Sequence, residues 1–454
     1  MMELQHWGLT YIITIILAFF ICFKPRFGFY LSILIYLWFG AVKLGYFYPR
    51  IFIFIFLGVI IILRSFLLGD ILKINRFLRI TLLIFFIFVI ISYFVDLFIG
   101  GLRFYSESNL RRLTRIILPI LIAICTVYFI REKKDIKNII LFIIFCMDIS
   151  AFVAIMQFFN INFFWKLRLI QGEPPLFVYE RICGLSNYAL NLSYYLSILV
   201  PLTAWAFISK SYSKRKIFLF FSLIILSFCL ILSLTRSAIL GSFIGIFITL
   251  FWARKSYTLK LFIPIGLCIA TIFATVNPNR LSRITSLEKG GLERIPMAIT
   301  ALNIAMDHPL GIGSTGKYFE LVRQFGSKYY QEAKKYKGGR DILGTTSHNN
   351  FLNVLMYWGW ISFVILIFFY IYIFRELFGL IAESRDSFIK DSSMGLLAGF
   401  IAYIVNACFH NAGPFLGEYF FWYFIGILAG LSTLQGKMTA SNNIHSVNLK
   451  PKLP

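Results

Sequence analysis

The apolar residues of this chain come in blocks and not in alternation. Gly8–Phe23, Ile51–Leu63, Thr81–Ile99, Ile139–Phe159, Ile217–Leu232 and Phe351–Phe374 each approach or reach the roughly 20 residues that a helix needs to cross a bilayer. Runs such as Leu82–Ile91 lack the two-residue period of a membrane barrel strand. The pattern predicts an all-α fold, a polytopic transmembrane helical bundle of about 12 to 13 spans. They fall at 8–23, 27–42, 51–68, 80–99, 113–130, 138–159, 187–208, 217–234, 237–252, 259–275, 349–374, 393–409 and 415–434. The first run has no basic region before it and no small-residue cleavage site after it, so it is expected to be a retained span.

Between the blocks the polar residues divide into two kinds of loop. One set is strongly basic: Lys24 and Arg26; Arg64, Lys73, Arg76 and Arg79; Arg131, Lys133, Lys134 and Lys137; Lys210, Lys214, Arg215 and Lys216; Arg254, Lys255 and Lys260. By the positive-inside rule this set faces the cytoplasm. The alternate loops are poorer in basic residues, although Arg103, Arg111 and Arg112 go against the trend. This orientation puts 160–186 and the large hydrophilic stretch 276–348 outside the cytoplasm. The division is then a transmembrane domain over 1–435, a large extracytoplasmic loop over 276–348 within it, and a polar cytoplasmic tail over 436–454, expected to be disordered. The loop contains helix-like pieces around Pro296–Met306 and Lys317–Tyr336.

Composition narrows the class. The chain is 59% hydrophobic and 14% charged, against roughly 25% charged in soluble domains, so it lacks the polar surface of a water-exposed fold. Its formal charge of +24 lies mostly in loops that flank spans, which points to membrane topology and lipid headgroups and away from nucleic acid. Seven cysteines lie mostly within spans with no C-x-x-C pair, as packing residues do. A phosphate loop and H-E-x-x-H or Cys/His metal spacings are missing, so neither a nucleotide cofactor nor a metal is expected. Gly311-Ile-Gly313-Ser-Thr-Gly316 matches a dinucleotide loop only superficially, because no strand precedes it.

What remains is a set of cationic and imidazole groups. Arg236, in Ser233-Leu-Thr-Arg236-Ser237, stands between two very apolar runs. It reads either as a snorkelling side chain or as an anion contact, since guanidinium stays charged and can grip phosphate oxygens in pairs. Arg294 opens a helical piece that leads into Asp307-His308-Pro309-Leu-Gly311-Ile-Gly313, a turn directed back toward the membrane, in which His308 is expected to be structural. His348, in Ser347-His348-Asn349-Asn350-Phe351-Leu352, lies at the mouth of a span. Neutral imidazole there suits a general base, with Asn349 able to orient a ring or substrate; a structural histidine is the competing reading. His410 and Asn411 lie at the outer end of another span and are expected near the same pocket.

Taken in order, these pieces resemble the bacterial O-antigen ligase and polymerase superfamily. The resemblance rests on Arg181-Ile-Cys-Gly184-Leu-Ser-Asn187, Ser233-Leu-Thr-Arg236-Ser237-Ala238, Arg294, Asp307-His-Pro309-Leu-Gly311-Ile-Gly313, and His348-Asn349-Asn350-Phe351-Leu352 with Gly359. It is best over 180–375 and implies a membrane glycosyltransferase that needs no metal or nucleotide. The donor it implies is an undecaprenyl-diphosphate-linked glycan. Arg236 and Arg294, with help from Arg181, would hold the diphosphate, and His348 would act on the acceptor hydroxyl, with Asn187, Asn349, Gly311, Gly313 and His410 supporting. The family also has an arginine-x-x-x-leucine element; Arg283 has Leu287 at that spacing, whereas Arg294 has Ala298 there but lies just before the Pro309–Gly313 turn and is preferred. The spacing of His348 and Gly359 favours a ligase acting on lipid A–core over a repeat-unit polymerase. A flippase for the same lipid is the reading from a different class; its charges would sit at midplane, in repeated halves.

Overall fold

The computed structural model describes residues 21, 23–39, 49–68, 74–99, 107–170, 182–186, 189–253, 294–313, 321, 347–411 and 413–448. Thirteen α-helices are described: α1 (Pro25–Phe39), α2 (Pro49–Leu68), α3 (Arg76–Phe98), α4 (Glu107–Tyr128), α5 (Lys133–Phe158), α6 (Asn162–Ile170), α7 (Ala189–Ile208), α8 (Lys216–Leu232), α9 (Arg236–Ala253), α10 (Arg294–Asp307), α11 (Asn350–Glu383), α12 (Ser387–Ala407) and α13 (Phe420–Asn448). A 3₁₀ turn over Lys210–Arg215 joins α7 to α8. Among the described residues no strand occurs, and six helices are long and apolar enough to cross a membrane. The chain is a multi-pass membrane protein of the all-α class. The expected spans at 8–23 and 259–275 lie outside the described residues, apart from residues 21 and 23.

Local chemistry sets the helix starts. Proline opens α1 and α2, where its missing N–H costs nothing. Asn75, Asn349 and Asp386 cap α3, α11 and α12 by accepting first-turn backbone N–H groups. The core is aromatic: Trp205, Trp422, Tyr194 and Tyr403 are fully buried. Phe243, Phe247 and Phe251 recur every turn on the outer face of α9 and are exposed, a stripe suited to lipid.

Several polar and ionic contacts lie together at one end of the bundle. Arg26 pairs with Asp135, Lys133 Nζ lies 2.5 Å from Asp386 Oδ2, and Lys137 Nζ donates to Ser211 O. Three of the basic loops therefore share one end, as their common assignment to one membrane face requires. At the opposite end of α12 lie α9's first turn and the start of α11. Two close approaches hold that end together. A Cβ on Gly241 or Gly245 would come 2.5 Å from Ala402 O or 2.2 Å from Ala398 O, so α9 and α12 meet backbone to backbone through a G-x-x-x-G stripe.

The second approach explains the Asp307–Gly313 motif. The span expected at 349–374 continues as helix to Glu383 and is broken at Gly359, whose φ of 77° is left-handed. The chain at 309–313 lies alongside the break and takes up the backbone groups that it frees. Ile312 N donates to Met356 O, Gly313 N to Tyr357 O, and Trp360 N to Pro309 O. A Cβ on Gly311 would collide with Tyr357 O, and one on Gly359 with Pro309 O. Both glycines, with Gly313 (φ 75°), serve this pairing.

The end of the chain differs from expectation. Helix α13 continues to Asn448, so 436–448 is helical where a disordered tail is expected. Gly436 does not end the helix, and Met438 beyond it packs against the core, which gives the added turns an anchor.

Candidate functional site

Three helix termini and one turn build the site. Arg236 begins α9, two residues after Leu234, whose φ of 53° turns the chain sharply out of α8. Arg294 begins α10, which packs on α11 through a small cluster of Ala301, Ile304, Ile312 and Met356. The turn Cys408–His410 follows α12 and is closed by Cys408 N donating to Ile404 O, Phe409 N to Asn406 O, and His410 N to Ala407 O.

The turn connects the other parts. The Arg294 guanidinium lies over the Phe409 ring at 5.7 Å from its centroid. His410 is 1% exposed, and its Nε2 is 3.0 Å from Ser237 Oγ. Ser237 Oγ donates to Asn406 Oδ1 at 2.8 Å, so the imidazole Nε2–H is the donor to Ser237. Asn353 Nδ2 donates to Asn411 Oδ1 at 3.0 Å, and Ser347 Oγ donates to Asn353 Oδ1 at 2.7 Å, which ties the start of α11 to the same turn. Burial first, and then the positive charge of Arg236, pull the Arg294 guanidinium below its usual value. The two arginines, 58 positions apart by number, are thus close enough to repel each other.

His348 precedes α11, is partly exposed, and has a left-handed φ of 50°. Asn349 Oδ1 accepts from Phe351 N at 2.9 Å and Leu352 N at 3.1 Å; that oxygen is a helix cap and is committed to it. His308 lies in the turn after α10, where its carbonyl accepts from Gly311 N. Arg181 and Asn187 lie outside the described residues. The segment between them, 182–186, is held against α5 by Gln157, whose Oε1 accepts from Cys183 N and Gly184 N. Gly184 (φ 59°) lies where a Cβ would come 2.4 Å from Ser150 O.

Beside the Pro309–Leu310 turn an apolar cavity of about 270 Å³ opens between α3 and α11, lined by Phe94, Phe98, Leu310, Trp358 and Ile361 among others. Among the described residues no three His, Cys, Asp or Glu side chains come together as a metal would require. Ser237, Asn353, Asn406 and Phe409 are contacts of the site that sequence reading did not single out. Asn406 and His410, one turn apart on a hydrophobic span, were the available signal, since polar groups at membrane depth usually have partners. Phe409 gave none among so many aromatics.

Residues 195–386 match the model of the family described as O-antigen ligase. The match runs from α7 to the cap of α12 and takes in Arg236, Arg294, Gly311, Gly313 and His348; Arg181, Asn187 and His410 fall outside it. Among curated proteins no relative matches the chain. Over the segment 195–386 the chain is similar to the family described as O-antigen ligase.

Proposed function

We propose that this protein transfers a glycan from an undecaprenyl-diphosphate carrier to lipid A–core, as an O-antigen ligase, on the periplasmic face of the inner membrane. The observation that carries the reading is the meeting of Arg236 and Arg294 at one end of the bundle, tied through Phe409–Asn411 to the start of α11 beside His348. Two half-buried guanidiniums that repel each other favour an anion between them, and bidentate contacts suit phosphate oxygens.

In the proposed reaction the acceptor hydroxyl oxygen forms a bond to the anomeric carbon while the bond from that carbon to the phosphate oxygen breaks. The electron pair leaves with undecaprenyl diphosphate, whose developing charge Arg236 and Arg294 stabilise. His348 takes the hydroxyl proton. The apolar cavity against Leu310 and Trp358 suits isoprenoid units of the carrier. Arg181 and Asn187 keep their proposed supporting roles near the donor.

The test is transfer by the purified, reconstituted chain from a labelled undecaprenyl-diphosphate glycan to lipid A–core. Arg236→Ala and Arg294→Ala should each raise the donor KM roughly tenfold to a hundredfold, the loss expected when a charged hydrogen bond is removed. Unaltered donor kinetics in both variants would overturn the diphosphate role. A ligase adds one finished glycan to each lipid A–core; products that lengthen while still attached to undecaprenyl diphosphate would identify a polymerase, and movement of the donor without transfer a flippase.

A further inference from the structure

We infer that the adjacent residues Phe409 and His410 form a single positioning element that fixes the separation of the Arg236 and Arg294 guanidiniums, so that the site selects a lipid diphosphate over a lipid monophosphate. The inference rests on the reading of these arginines as the diphosphate contacts and adds what sets their spacing.

The geometry divides the work between neighbouring side chains. Phe409, 39% exposed, offers its ring face to the Arg294 guanidinium. His410 points the other way, buried, and donates through Nε2 to Ser237, the residue that follows Arg236 in the first turn of α9. Its ring also meets Tyr194 of α7 edge-on at 5.9 Å. The turn carrying both has little freedom, because three backbone hydrogen bonds close it and Asn406, on the last turn of α12, accepts from the same Ser237 hydroxyl. Below it the Gly241 and Gly245 contacts with Ala402 and Ala398 prevent α9 from sliding on α12. Phe409 and His410, adjacent in the chain, thus link the Arg294 guanidinium to the first turn of α9 that carries Arg236.

A rigid spacing matters because the guanidiniums carry like charges and would separate if loosely held. One phosphate can satisfy one of them closely, whereas a diphosphate spans both, so the discrimination between the two anions depends on the spacing. A merely structural role would weaken both ligands alike.

The experiment measures equilibrium binding of undecaprenyl diphosphate and undecaprenyl monophosphate to the full chain in lipid nanodiscs. Phe409→Leu should weaken diphosphate binding about threefold to tenfold, the value of a partly buried cation–π contact, and monophosphate binding less. Phe409→Trp, with a stronger π face, should preserve the ratio. His410→Ala should narrow the ratio likewise, and His410→Gln, which retains a donor toward Ser237, should restore it, so the inference does not depend on one variant. An unchanged ratio in Phe409→Leu and His410→Ala, or equal losses for both lipids, would overturn the inference while Arg236→Ala and Arg294→Ala still impair diphosphate binding. Undiminished diphosphate binding in those two arginine variants would instead overturn the reading beneath it.

Discussion

His348 is one of three described non-glycine residues with a left-handed backbone, with Asn160 and Leu234. Histidine and asparagine tolerate that region better than most residues, and such conformations collect at functional positions. Two of the three lie two positions before helices that carry candidate groups: Leu234 before Arg236 of α9, and His348 before Asn350 of α11. This separates chemistry from shape. His348→Asn keeps a residue suited to φ near 50° but has no imidazole. Its thermal unfolding should match the wild type, while kcat in the transfer assay falls by about 10²- to 10⁴-fold, the usual contribution of a general base. Wild-type turnover in that variant would remove His348 from the reaction.

At the level of helices, α9 and α12 carry the site by packing closely. Gly245→Ala puts a methyl group about 2.2 Å from Ala398 O, and overpacking of this kind costs typically about 1–3 kcal/mol. The thermal unfolding temperature should fall, and donor binding should fall with it, because Ser237 and His410 ride on the displaced helices. A second element-level prediction concerns the far end of α12. Burial alone would raise the Asp386 carboxyl, but hydrogen bonds from Lys133 and the Ile389 and Phe388 backbone N–H groups outweigh it and hold the group below the ordinary 3.8. A depressed carboxyl stabilises the fold above its unfolded value, and the contribution is lost as pH falls through the folded value. Asp386→Asn keeps a good N-cap but not the charge. Its unfolding temperature should be lower than the wild type's at neutral pH, and the gap should close as pH drops below about 3.8.

For the whole molecule, hydrophobic blocks were enough to give the class, because a bilayer demands long apolar helices and little else satisfies backbone groups there. The grouping of basic loops was also legible: Arg26, Lys133 and Lys137 do share an end, joined to Asp135, Asp386 and Ser211. The helix at Arg294–Asp307 and the turn after it were readable from Pro and Gly spacing. That Gly359 breaks a helix and that 309–313 mends it was not, since pairing between segments far apart in sequence leaves no local signal. Asn349 shows the converse limit: its type suited both a substrate contact and a cap, and only its two backbone donors distinguish them. Phe409 was invisible for a similar reason, as its partner Arg294 comes from another part of the chain.

The central claim is that two arginines and one histidine from separate segments serve one lipid-linked donor. A cryo-EM structure of the full chain with undecaprenyl diphosphate bound tests it most directly. The diphosphate is expected between the Arg236 and Arg294 guanidiniums, with the His348 imidazole facing the same cavity. A diphosphate bound away from both arginines, or a His348 side chain turned out of the cavity that holds it, would rule out a shared donor site.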